Sequence, residues 1–344
     1  MPYLSILSVD SAGILHVLYI CICIFCTLIN KVHMTHPPPL FDLPLALSFL
    51  NEKTTTMPLE NDFSPFFRHL QHCNTAALSS QRAPFLLADQ LAGWVNPALF
   101  TRLEHEKLGT HTTGFHLPFP QQQLEILGET LAQEGFYTSH HELFDVIPNM
   151  GKPAVGRIDR GALPLFGFVA SGVHMNGLVY RDHKLHLWIG KRSAHKRLDP
   201  SKLDNLVAGG VPAGFSPREA LAKEAEEEAN IPSTLIAQAI EVGRIVYALD
   251  RPEGLRRDIL YCYDLFLPET FIPSAIDCEV DSFELLPIED VFSLVQTTEA
   301  FKFNVNLVLI DLFLRLKLID PTSTEGQRLR QGLNEGLSPI SPRK

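Results

Sequence analysis

The 344-residue chain is poor in cysteine, tryptophan and positive charge, and each shortage removes a class of protein. Three of its six cysteines, Cys21, Cys23 and Cys26, lie in one apolar run. The other three, Cys73, Cys262 and Cys278, form no C-x-x-C pair and no zinc spacing, which excludes a disulfide-stapled scaffold and a zinc ribbon. With 29 Lys and Arg against 39 Asp and Glu, the formal charge is −10. That balance lacks the electrostatic footprint of phosphate-backbone binding, so nucleic acid is excluded as the main partner. What remains is globular composition, 45% hydrophobic and 20% charged, over a length of about two domains.

Residues 11–30 carry no Asp, Glu, Lys or Arg, and fourteen of the eighteen from Gly13 to Asn30 are apolar, about a bilayer span. No basic stretch or small-residue cleavage pattern marks a secretory signal. Two readings stay open: a membrane anchor, or a stretch outside the working protein, since Met34 and Met57 both follow it and folded patterning begins near Asn61. From Phe63 to Ile147 short apolar segments alternate with turn residues, which reads as a small α+β accessory domain. Its histidines (His105, His111, His116, His140, His141) have no partners at ligand spacing.

From Leu163 the pattern sharpens. Leu165–His174 and Leu178–Ile189 read as strands, with Asn176-Gly177 predicting the hairpin turn between them. Residues 181–202 then hold seven Lys and Arg against two Asp. Next, Ser216, Pro217 and Glu219 supply an N-cap, a first-turn proline and a capping-box glutamate, so a helix should run to about Asn230 and stop before Pro232. Glu224, Glu227 and Glu228 fall on one face of it, a repulsive set that a hard divalent cation would relieve. Gly209, Gly210 and Gly214 before the helix allow close backbone approach to a ligand.

Glycine loop, capped helix and spaced glutamates together resemble the Nudix box, Gly-x5-Glu-x7-Arg-Glu-U-x-Glu-Glu-x-Gly-U, where U is apolar. Gly209, Glu224, Glu227, Glu228 and Ile231 match, whereas Phe215, Lys223 and Asn230 stand where the box has Glu, Arg and Gly. Lys223 can replace the arginine only as a one-point ion pair. Outside the box, Gly172-Val-His-Met-Asn-Gly177, Leu187-Trp-Ile-Gly-Lys-Arg-Ser193, Leu203-Asp-Asn205, Asp277-Cys-Glu-Val280, Phe283 and Phe301-Lys302 resemble the Nudix subfamily related to thiamine pyrophosphokinase.

That resemblance implies a Nudix fold, an α-β-α sandwich with a mixed sheet between helices, preceded by the α+β accessory domain. The division it suggests is an N-terminal extension at 1–56, the accessory domain at 57–155, the Nudix domain at 156–320 and a disordered tail at 321–344. It also implies an Mg²⁺-dependent (or Mn²⁺-dependent) pyrophosphohydrolase that converts thiamine diphosphate-like compounds, oxidised or damaged forms above all, to monophosphates in metabolite repair. Glu224, Glu227 and Glu228 would hold the metal, which neutralises phosphate oxygens and activates the attacking water. Glu279, in a 277–290 stretch with six acids and no base, is the candidate general base, with Glu228 its rival and Glu227 a further catalytic candidate.

Lys191, Arg192 and Lys196, with the Gly209 and Gly210 backbone, are candidates for holding the diphosphate; Gly214 and Lys223 would support the box; Trp188 or Phe301 would stack on a heteroaromatic ring. A nucleoside diphosphate derivative such as ADP-ribose is the alternative substrate, and a silent Nudix fold serving as a ligand sensor is the alternative class. The expected partner is a small-molecule diphosphate, with a membrane only if residues 13–30 are an anchor. The expected location is cytoplasmic, with membrane-anchored or organellar alternatives. Apolar density over Phe303–Leu318 predicts a buried C-terminal helix.

Overall fold

The computed structural model describes residues 62–76, 82–105, 110–111, 114–148, 151–276 and 278–334. The apolar run at 13–30, the Met34 and Met57 starts, and Asp277 lie outside them. Among the described residues no helix is long and apolar enough to cross a membrane.

The central element is a seven-stranded mixed sheet. Strands β7 (Val169–Arg181), β8 (Lys184–Arg192), β11 (Ile240–Arg251), β12 (Gly254–Phe266) and β13 (Val280–Pro287) run in the order β11-β12-β7-β8-β13. Strands β7 and β12 are parallel, while β11–β12, β7–β8 and β8–β13 are antiparallel. Two short strands complete it: β9 (Leu203–Asp204) beside β8 and β10 (Val207–Gly210) beside β7.

The alternation of β7 sends Val173, Met175 and Val179 to one apolar cluster and Leu178 to another, so the sheet is covered on both faces. One face packs on helix α5 (Pro217–Ala229) through Ala220, Leu221, Ala225 and Ala229. The other packs on α7 (Ile288–Thr297) and α8 (Val305–Arg315), the latter buried from Val305 to Leu314 as its apolar density predicts.

The β7–β8 hairpin turns elsewhere than expected. Asp182 and His183, at φ 49° and 60°, make the two-residue turn, and Asn176-Gly177 lies inside β7. Asn176 is fully buried and donates to Asp264 Oδ1 at 2.8 Å, and Leu206 fills the space over Gly177. A polar-glycine pair chosen for long-range packing therefore imitates a turn. Leu165 also leaves its expected strand: Leu163–Phe166 is a single helical turn, α4, closed by Gly167 at φ 63°.

A second apolar core lies around Phe85, Phe115, Leu124, Phe144 and Phe166, and so takes in residues from the expected accessory span and from the start of the expected Nudix span. A four-stranded sheet, ordered β2 (Gln90–Val95), β1 (Ala83–Leu87), β4 (Gly114–Leu117), β3 (Thr110–His111), lies with α2 (Pro97–His105), α3 (Pro120–Gln133) and a separate β5 (Leu143–Val146)–β6 (Gly156–Asp159) hairpin. Helix α1 (Ser64–Cys73) falls within the span expected of the accessory domain but packs in the other core. Phe66 meets Phe292 and Phe313, and Arg68 donates to the carbonyls of Val295, Gln296 and Thr298 at the end of α7.

The start of the expected disordered tail is also folded. Ser323 caps α9 (Thr324–Gly332), and Leu329 and Leu333 are buried beside α1, so two leucines in polar sequence suffice to dock it.

Candidate active site

Local sequence sets the start and stop of α5. The Ser216 hydroxyl accepts the Glu219 amide at 3.3 Å, and the Glu219 carboxylate accepts the Ser216 amide at 2.8 Å. Asn230, at φ 52° and ψ 41°, takes the left-handed closing conformation that the box assigns to glycine. Between these ends the alanine face docks on the sheet and carries Glu224 and Glu228, one turn apart, toward β10.

Glu228 is only 5% exposed, and its Oε2 accepts the Ala208 amide at 2.9 Å. Burial, with Asp204 and Glu224 nearby, pushes its carboxyl up to about 8 against the Ala208 hydrogen bond. Glu224 is likewise raised, by burial first and then by Glu227, Glu279 and Glu142, against the opposing pull of Lys223. Glu227 is half exposed and ion-paired to Lys223 at 2.5 Å, and the same Lys223 Nζ lies 3.7 Å from Glu224 Oε1. Among the described residues no three His, Cys, Asp or Glu side chains are already gathered as a metal set. The Glu224–Glu228 pair nonetheless fits a hard divalent cation: its donors are carboxylate oxygens, and the burial and repulsion that raise both are what a cation would offset.

The basic candidates separate. Lys191 is exposed near the end of β8. Lys196 is ion-paired to Glu279, so the candidate phosphate ligand and the candidate base already meet. Arg192 is not a substrate ligand: it is buried, bridges to Asp204 at 2.7 Å and donates to the carbonyls of Leu198 and Asp199, pinning the basic loop. Trp188 and Phe301 are core residues in separate clusters and present no stacking face.

The glycines also have protein neighbours. A Cβ on Gly209 would lie 2.3 Å from the Glu224 carboxyl carbon, and one on Gly210 would lie 2.6 Å from the Phe144 ring. The close approach expected for a ligand at these two faces is made by side chains instead.

A NUDIX domain family profile matches residues 172–306. Nudix hydrolase 24, chloroplastic, of Arabidopsis thaliana is 35% identical over 89% of this chain and 89% of its own length. The chain belongs to the Nudix hydrolase family. Nudix hydrolase 20, chloroplastic, of the same plant is 35% identical over 77% of this chain and 76% of its own. An uncharacterized Saccharomyces cerevisiae protein is 30% identical over 48% of this chain and 52% of its own. The family's enzymes are hydrolases of pyrophosphate bonds and generally use divalent cations such as Mg²⁺.

Behind the Nudix helix lies a buried polar chain with no role in the sequence reading. Asp204, between Arg192 and Lys302, would be raised by burial alone, but the Lys302, His174 and Arg192 charges hold it below the ordinary carboxylate range. His174 shares a hydrogen bond with Asn205 Oδ1 at 2.8 Å, Asn205 donates to Asn176 Oδ1 at 2.8 Å, and Asn176 donates to Asp264, which binds Arg315. Two segments noted for family resemblance, Leu203-Asp-Asn205 and Phe301-Lys302, thus form the site's floor; the signal was present without a partner assignment.

The β5–β6 hairpin reaches the Nudix box as well. Leu143 O accepts the Ala213 amide at 2.8 Å, and Asp145 Oδ2 accepts the Gly214 amide at 2.7 Å. Glu142, ion-paired to Arg160 at 3.0 Å, is one of the carboxylates acting on Glu224 and Lys223. These contacts join segments about 70 residues apart, with no local signature in either.

Proposed function

We propose that this Nudix hydrolase cleaves thiamine diphosphate-like compounds, oxidised forms preferred, to the monophosphate with the help of Mg²⁺ or Mn²⁺. The observation carrying the hydrolytic reading is the Glu224–Glu228 pair, two carboxylates raised by burial on a doubly capped helix against a glycine strand. The thiamine reading is supported by the segments around the box that resemble the thiamine pyrophosphokinase-related subfamily. A bound divalent cation would supply charge neutralisation at the phosphate oxygens and lower the barrier to attack on phosphorus.

The chain's own groups do the rest. Glu224 and Glu228 hold the cation. Lys191 and Lys196 meet the phosphates, and Glu279, paired to Lys196, accepts the proton of the attacking water. Glu227, paired to Lys223, steadies the helix face.

The test is a substrate panel with and without Mg²⁺: oxidised and intact thiamine diphosphate, ADP-ribose and a dinucleoside polyphosphate. Metal-dependent monophosphate release fastest from oxidised thiamine diphosphate supports the reading. Preference for ADP-ribose or the dinucleotide moves the enzyme to nucleotide substrates, and tight binding without turnover makes it a sensor. The location carried forward is cytoplasmic. The chloroplastic naming of the two plant relatives supports the organellar alternative, and microscopy of the C-terminally tagged full chain decides between them.

A further inference from the structure

The β5–β6 hairpin of the accessory domain grips the loop that feeds the Nudix helix. Asp145 uses both carboxylate oxygens there: Oδ2 accepts the Gly214 amide at 2.7 Å and Oδ1 accepts Arg157 Nε at 3.1 Å. On either side of it, Leu143 O takes the Ala213 amide and the Phe144 ring fills the space over Gly210. Gly214 itself is at φ 84°, in the left-handed region, so the residue that Asp145 holds has a backbone conformation that favours glycine.

The next residue, Phe215, stands where the Nudix box has glutamate, and its ring is 44% exposed. The loop therefore contributes no carboxylate of its own at that turn. One arrives from 69 residues earlier in the chain.

We propose that Asp145 is a positioning residue of the Nudix site, supplying from the accessory domain the carboxylate that position 215 lacks and fixing the turn from which α5 sets Glu224 and Glu228 against β10. The accessory domain is on this account part of the hydrolase site rather than a neighbouring module. Its kinetic consequence rests on the hydrolase reading above; its structural consequence does not. A hydrogen bond from a charged acceptor to the bend residue removes alternative loop conformations, and small misplacements of catalytic groups are costly in rate.

The experiment uses the full chain as wild type, Asp145→Asn, Asp145→Ala, and Asp145→Ala combined with Phe215→Glu. Asp145→Ala should speed amide hydrogen exchange at Gly214 about tenfold, while Asp145→Asn, which keeps an acceptor oxygen, should exchange at an intermediate rate. In turnover, Asp145→Ala should lower kcat about tenfold or more with KM changed less than about threefold, and adding Phe215→Glu should recover part of kcat. Unchanged exchange at Gly214 in Asp145→Ala overturns the proposal. So does a kcat within about twofold of wild type, or a loss that neither Asn nor the Phe215→Glu change relieves. If wild type turns over no diphosphate, the hydrolase reading fails, and the exchange rates alone decide whether Asp145 holds the turn.

Discussion

Glu228 accepts the amide of Ala208 at 2.9 Å, a contact that ties the Nudix helix to the strand carrying the glycine loop. One carboxylate oxygen is thereby committed to structure, and the group as a whole feels the carboxylates of Asp204 and Glu224 against the opposing charge of Lys196. Glu228→Gln keeps the acceptor for Ala208 but removes a carboxyl whose ionised form burial and its acidic neighbours disfavour up to about pH 8. It should lower kcat/KM about 100-fold or more in the Mg²⁺-dependent assay. The metal-free variant should melt at a higher temperature than wild type, and Mg²⁺ should raise its melting temperature less. A variant that gains as much from Mg²⁺ as wild type would remove Glu228 from the metal site.

Arg192 should behave as a structural residue. Its guanidinium holds Asp204 and two loop carbonyls out of water, and truncation leaves the buried Asp204 carboxylate with only the longer Lys302 ion pair and leaves both carbonyls without their donor. Arg192→Ala should cost about 3 to 5 kcal/mol in urea unfolding, with Arg192→Lys between it and wild type. Lys191→Ala, one position away and exposed, should stay within about 0.5 kcal/mol of wild type.

Much of the site was legible where the determinants were local. Ser216, Pro217, Glu219 and Asn230 lie within one helix length of each other, and the helix they predict is the one observed. The buried helix expected over Phe303–Leu318 rests on equally local density, and Val305–Arg315 is observed. Arg192 misled because a cation in a basic run looks solvated until Asp204, twelve residues on, is seen to bury it. Asn176-Gly177 misled in the same way, its partners Asp264 and Leu206 being remote in sequence. Asp145, too, looked ordinary because the bend it holds lies 69 residues further along the chain.

Acid should loosen the floor of the site through His174. Burial, with Lys302 and Arg192 adding to it against Asp204 and Asn205, lowers this imidazole from its ordinary 6.5 to about 4. Between those values the unfolded chain binds the extra proton, so this contribution is complete above about pH 6.5 and falls away toward pH 4. The loss should approach roughly 3 kcal/mol. His174→Gln should flatten the slope over that window in pH-resolved urea unfolding, and an unchanged slope would assign the titration to other groups.

The packing of Phe144 on Gly210 joins the β5–β6 hairpin to β10 by van der Waals contact. Gly210→Ala should destabilise by about 1 to 3 kcal/mol, because the new methyl meets the ring and not a flexible side-chain end. Trimming the ring with Phe144→Leu should make the second change less costly than it is alone, a coupling of about 0.5 kcal/mol or more in a double-mutant cycle. Strict additivity would mean that the ring does not meet position 210.

Helix α1 carries a consequence for synthesis. Its Phe66 and Leu70 leave the ribosome more than 200 residues before the α7 and α8 rings that cover them, including Phe292 and Phe313. During that interval the core around Phe85 and Phe115 can close by itself, since every buried residue of that cluster precedes residue 169. Helix α1 must wait, an apolar segment in need of shielding until the last helices emerge and capture it. A nascent chain halted after β13 should therefore hold a finished first core and an exposed leading helix, making it a natural client for a chaperone.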